Sequence, residues 1–96
     1  MSSIDFRRSH NLGMQQAHEA VNAIADELTR ALDITSSWQG DTLRFQRPGA
    51  TGTIEVTGNS VHFHADLSLL LRPVKSKIEA KVQQYFEHFF QHTENY

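Results

Sequence analysis

The sequence predicts a single α+β domain over residues 1–96, an antiparallel β-sheet packed on one face by two helices in the order β-α-β-β-β-β-α. Three observations carry this expectation. Two stretches, one on either side of the middle of the chain, repeat apolar residues at helical spacing. Between them, large apolar residues alternate with polar ones at the period of half-buried strands. Three turn dipeptides, Gly40-Asp41, Pro48-Gly49 and Gly58-Asn59, cut that alternating region into consecutive hairpins.

The first element is a short strand, with Ile4 and Phe6 on one side and Asp5 and Arg7 on the other. From Gly13 the period changes. Met14, Ala17, Val21, Ile24, Ala25, Leu28 and Leu32 fall on one helical stripe, and its alanines favour helix and permit close approach to a sheet. Asn11 is a candidate N-cap. A start at Gly13 is the alternative, with Leu12 preceding the cap, near Ala17, and Gln16 at the third helical position.

Treating each dipeptide as a two-residue turn fixes a register. Trp38 then pairs with Leu43, Leu43 with Ile54, Ile54 with Phe63, and Val56 with Val61, so the large residues share one face. A slip of one residue in any hairpin would send part of that row into water. The other face receives Thr42, Arg44, Gln46, Thr53, Glu55, His62, His64 and Asp66. One packed face and one wet face is the condition of an antiparallel sheet, and it argues against a buried parallel one. Pro fixes φ in the second turn, and Gly or Asn accepts positive φ in the other two.

Leu67, Leu69, Leu70 and Leu71 lead into Arg72-Pro73, where proline suits the first helical position. Val74, Ile78, Val82, Tyr85 and Phe89 continue as the second stripe, widened by Phe86 and Phe90, to about His92, with residues 93–96 a frayed polar end. Both helices need an apolar surface, and the sheet offers one. They are therefore expected side by side across it.

Composition narrows the function classes. The chain has no cysteine, which removes disulfide and thiolate chemistry and leaves the core to hold the fold. The apolar run Leu69–Leu71 is far short of the roughly 20 residues that cross a bilayer. No secretory signal is visible, so a cytoplasmic location is expected. A net charge of −2 disfavours a polyanion partner, and no aromatic RNA platform or helix-turn-helix pattern is present. The expectation is no nucleic acid.

Ile4-Asp5-Phe6-Arg7-Arg8-Ser9-His10, then Leu12-Gly13 and the Ala-rich helix, then Trp38-Gln39-Gly40-Asp41-Thr42-Leu43-Arg44-Phe45, Gly52, Leu69-Leu70-Leu71-Arg72-Pro73 and Ile78-Glu79 together resemble the polyhydroxyalkanoic acid system protein family. Order and spacing across nearly the full chain carry the resemblance. It implies a small bacterial protein whose genes accompany polyhydroxyalkanoate synthesis or granule genes, with a regulatory or granule-associated role. It brings no catalytic residues. The layout also resembles a reduced helix-grip fold, a curved antiparallel sheet around a C-terminal helix, which at fold level says nothing of a ligand.

Candidate sites follow from the faces. His62 and His64 point the same way, with Glu55 opposite the first and Thr53 opposite the second, a set that a divalent metal or an acid–base pair would use. A solvated face needs polar residues in any case, so the expectation is no metal and no cofactor. His64 with Asp66 is ordinary i, i+2 strand spacing, and catalysis would also need a closed pocket into which two of His64, Asp66 and Arg44 project. Asp5, Arg7, Ser9 and His10 form no nucleophilic relay, and Arg8, toward the packed side or the sheet edge, reads as architectural. The chain is read as a non-enzyme.

Two readings of function remain. In the first, Tyr85, Phe86, Phe89 and Phe90 leave a partly exposed aromatic patch, Phe90 being nearest the edge of the stripe, with Lys75, Lys77 and Lys81 adding attraction at the other end of the helix. Such a surface would meet a polyhydroxyalkanoate granule, a granule-associated protein, or a second copy as a homodimer. In the second, Phe6, Trp38, Phe45, Ile54, Phe63 and Val82 line an apolar pocket for an acyl chain or related metabolite.

Overall fold

The computed structural model describes residues 2–90. The elements run β1 (Ser2–Ser9), α1 (Gly13–Leu32), β2 (Thr35–Gln39), β3 (Thr42–Arg47), β4 (Ala50–Val56), β5 (Ser60–Leu67) and, after a 3-10 turn at Arg72–Val74, α2 (Lys75–Phe90). The expected order β-α-β-β-β-β-α is the observed one. His92 and residues 93–96 lie outside the described residues.

The five strands form one antiparallel sheet in the order β1-β5-β4-β3-β2. Each expected pair is present: Trp38 opposite Leu43, Leu43 opposite Ile54, Ile54 opposite Phe63, and Val56 opposite Val61. Because β1 joins the free edge of β5, the first and second strands of the chain are at opposite edges. α1 makes that crossing. Its 20 residues extend about 30 Å, more than the roughly 19 Å of four strand spacings, so a single helix covers the distance.

The turns differ in kind. Gly40 and Gly49 take positive φ, 60° and 91°. Pro48 followed by such a glycine is a type II pattern. At Gly58-Asn59 neither residue has positive φ, contrary to the expectation. Thr57 does the work instead: its Oγ1 accepts the N–H groups of Asn59 and Ser60 at 3.3 and 3.0 Å, a side-chain substitute for the left-handed backbone.

The helix starts also differ. Neither Asn11 nor Gly13 caps α1. Leu12 holds the cap position without a side-chain bond, and Gly13, at φ 78°, turns the chain into the helix. At the other end Asp33 is left-handed, and its N–H reaches the Thr29 carbonyl at 3.0 Å. Pro73 sits in the 3-10 turn, and α2 begins two residues later.

Both helices pack on the expected face, α1 over β2 and β4 and α2 over β1. The core centres on Phe63. Its ring stacks on Phe6 at 5.2 Å and on Phe45 at 5.5 Å, and meets Phe86 edge-on at 5.8 Å. Val21, Ile24, Leu28, Leu43, Ile54 and Val82 complete it, all fully buried.

Candidate functional site

Of the aromatic residues expected at the surface, Phe86 and Phe90 are 0% and 2% exposed, so they belong to the core. The reason is the position of β1. Added beyond β5, it widens the sheet beneath α2, so that Phe6 meets Phe86 edge-on at 5.1 Å and His10 lies 5.6 Å from Phe90. Tyr85 and Phe89 are half-buried against the same core. Lys77 and Lys81 are exposed, and Lys81 Nζ sits 5.9 Å above the Tyr85 ring.

Among the described residues, the two most exposed large apolar side chains are elsewhere, while Met14 on α1 is 38% exposed. Leu69 and Leu70, on the connection from β5 to α2, are 72% and 68% exposed, and Val74 follows at 38%. This apex is shaped locally. Ser68 N–H donates to the Gly49 carbonyl at 2.8 Å, Ser68 Oγ accepts from Leu70 N–H at 3.2 Å, and Leu71 N–H closes onto the Ser68 carbonyl at 3.1 Å. A turn held this tightly against the β3–β4 hairpin directs Leu71 inward and leaves its two predecessors outside. Arg72, Lys75, Lys77 and Lys81 follow directly in sequence.

Beside the apex, between the sheet and the two helices, is a cavity of about 340 Å³. Leu28 and Leu32 of α1, Phe45 and Phe63 of the sheet, and Ile78 and Val82 of α2 are among its walls, while Ala50 and Ala65 leave room at the floor. Of the six residues expected to line a pocket, Phe45, Phe63 and Val82 do. Phe6, Trp38 and Ile54 do not. Phe6 packs into the aromatic cluster, and Ile54 is enclosed in the core. Trp38 faces α1, donating from Nε1 to Asn22 Oδ1 at 2.7 Å and stacking on His18 at 4.1 Å.

Among the described residues, the charged groups that line the cavity are Arg47, Lys77 and Lys81, and none of its lining is acidic. Arg47 is fixed: Nη1 donates to the Leu32 carbonyl at 2.8 Å and Nε to the Pro48 carbonyl at 3.0 Å. A second depression, of about 410 Å³, lies on the open sheet face. Ser36, Ser37, Arg44 and Thr53 among others line it, a polar wall of the kind expected on a solvated sheet.

That open face also carries the histidines. Glu55 is opposite His62 and Thr53 opposite His64, as expected. What sequence reasoning missed is Asp5, which β1 inserts between them: Oδ1 contacts His62 Nε2 at 2.9 Å and Oδ2 contacts His64 Nδ1 at 2.8 Å. Asp66 flanks His64 Nε2 at 3.4 Å. Hydrogen bonds from His62 and then His64 hold the Asp5 carboxyl below its ordinary value, against a small opposing effect of burial. The hydrogen bond to Asp5 raises His64, burial opposes it, and Asp66 adds to the rise.

Among the described residues, no group of three or more His, Asp or Glu is arranged to hold a metal ion. The histidine cluster and the cavity lie on opposite faces of the sheet, so these paired acid and base groups do not face the cavity. Arg8 lies on the packed side as expected, its guanidinium 5.7 Å from the Phe6 ring centre and its Nη2 donating to Glu87 at 3.3 Å. No helix among the described residues is long and apolar enough to cross a membrane.

No curated protein and no solved structure matches the chain. A family model does, the one described as Putative polyhydroxyalkanoic acid system protein, over residues 4–90. That match runs from within β1 to the end of α2, and the chain belongs to this family of polyhydroxyalkanoic acid system proteins.

Proposed function

We propose that this protein is a non-enzymatic accessory protein of polyhydroxyalkanoate storage that attaches to the granule surface through the apex at Leu69, Leu70 and Val74. The observation that carries this reading is the exposure of Leu69 and Leu70, 72% and 68%, on a turn that hydrogen bonds hold in place. Adjacent apolar side chains presented on a fixed turn lose little freedom on contact with an apolar surface, so their burial is available for attachment. Lys75, Lys77 and Lys81 supply weak, salt-sensitive attraction beside them. Tyr85 and Phe89, half-buried along α2, extend the contact at its margin.

The test is co-sedimentation of the full chain with native granules, using Leu69→Asp/Leu70→Asp with its fold verified by circular dichroism. The double variant is expected to stay in the supernatant. If the folded variant pellets with granules as well as the parent does, the attachment surface is not this apex.

A further inference from the structure

We infer that the cavity between the sheet and the two helices is a binding site for a medium-chain carboxylate, one ligand per chain. The inference is distinguishable from granule attachment, because Leu69 and Leu70 do not line the cavity, although Val74, Lys77 and Lys81 serve both readings.

Its volume of about 340 Å³ is at the lower end of the ~300–1,000 Å³ typical of small-molecule sites. A space of this size suits one unbranched acyl chain rather than a two-chain lipid. Leu28, Phe45, Phe63 and Val82, with Ala50 and Ala65 at the floor, offer no partner for a polar group. Whatever enters deeply must therefore be apolar there.

The charges decide the other end of the ligand. Arg47, Lys77 and Lys81 all line the cavity, and among the described residues no Asp or Glu does. Neither lysine is ion-paired among the described residues. Both are exposed, which places them on the solvent side of the cavity, and Arg47 is anchored by its two carbonyl bonds. An apolar interior with a one-sign cationic mouth complements an amphipathic anion, tail inward and carboxylate outward. The same charges disfavour an alkyl ammonium ion of equal length.

The two helices and the leucine segment each contribute. Leu71 and Val74 close the end of the cavity nearest the apex, and Ile78, Lys81 and Val82 follow along α2. Lys77, Ile78, Lys81 and Val82 recur at helical spacing along one edge of α2, which is how a single helix offers both the wall and the cations.

Isothermal titration of the full chain with decanoate tests the assignment, with decylammonium and decanol as probes of charge. Saturable binding of decanoate at one per chain is expected, with decylammonium weaker. Ala65→Leu, which fills the floor, is expected to abolish binding without lowering the melting temperature, while leaving granule partitioning unchanged because the apex is untouched. Lys77→Glu/Lys81→Glu changes only exposed positions and is expected to weaken decanoate about tenfold while sparing decanol. Absence of saturable decanoate binding by the parent chain would overturn the proposal. So would equal affinity of decanoate and decylammonium, or undiminished decanoate binding by both variants. Should Ala65→Leu fail to fold, the lysine variant decides alone.

Discussion

The imidazole of His10 ties the end of β1 to the β4–β5 turn, with Nε2 3.2 Å from the Thr57 carbonyl. The opposite ring nitrogen, Nδ1, accepts the Leu12 N–H at 3.1 Å. One nitrogen must donate and the other accept, so the neutral Nε2–H tautomer satisfies both bonds at once. The ring is 3% exposed and lies against Phe90, which makes His10 the corner post of β1, α1, α2 and the β5 hairpin.

Replacing that ring has a predictable cost. His10→Ala leaves the Thr57 carbonyl and the Leu12 N–H without their partner, and the price is about 1–3 kcal/mol for such groups. Urea unfolding followed by circular dichroism should show a clear drop in midpoint with little change in slope. A midpoint equal to the parent's would mean that water replaces the ring without penalty.

Gly52 poses a different constraint, one of space. It pairs with Phe45 on one side and Ala65 on the other, and a Cβ there would strike both the Phe45 ring and the His64 carbonyl. The backbone carbonyl cannot move without breaking the ladder. Gly52→Ala is therefore expected to destabilise by about 1–3 kcal/mol, the range for overpacking a filled site. Phe45→Leu added to it should recover part of the loss, since the two share one contact. Thermal unfolding of the single and double variants gives that coupling directly, and strictly additive effects would contradict it.

Phe90→Asp separates core from surface. A 2% exposed ring replaced by a carboxylate loses about 3–5 kcal/mol of packing and adds the desolvation of a charge. A domain of this size holds only about 5–15 kcal/mol in all, so the variant is expected to be largely unfolded. Leu70→Asp, at a position 68% exposed, is expected to keep the parent's unfolding midpoint within about 0.5 kcal/mol. Comparing the two by circular dichroism checks the assignment, and a folded Phe90→Asp protein would contradict the packing described.

The contrast shows what could be read in the sequence. Register from Trp38 to Phe63 was legible because three turns of two residues leave no freedom to slide. The position of β1 was not, since Ile4 and Phe6 alternate equally well against either sheet edge. Two consequences followed from that one gap. Without β1 beside β5, the surface beneath α2 ends near Phe90, and nothing in the sequence brings Asp5 to His62 and His64, 57 and 59 residues away. Leu69 and Leu70 carried a usable signal: three consecutive leucines after a strand cannot all face inward, so some must be exposed.

Asp5 and His64 also set a pH dependence whose sign can be worked out. His64 is raised above its ordinary 6.5 in the folded chain, so its contribution is complete below 6.5 and is lost as pH rises through the raised value. Asp5 is held below its ordinary 3.8, so its contribution is complete above 3.8 and is lost as pH falls through the lowered value. The pair therefore stabilises most between these limits and fades on both sides. Half-exposed side chains keep the effect small and screened by salt. Asp5→Asn should lower the melting temperature more at pH 5.5 than at pH 9, and less at either pH in high salt. It should also shift the His64 imidazole titration, followed by NMR, downward toward 6.5, with Asp66 sustaining part of the rise. An unchanged His64 titration in the variant would show that Asp66, and not Asp5, holds the charge.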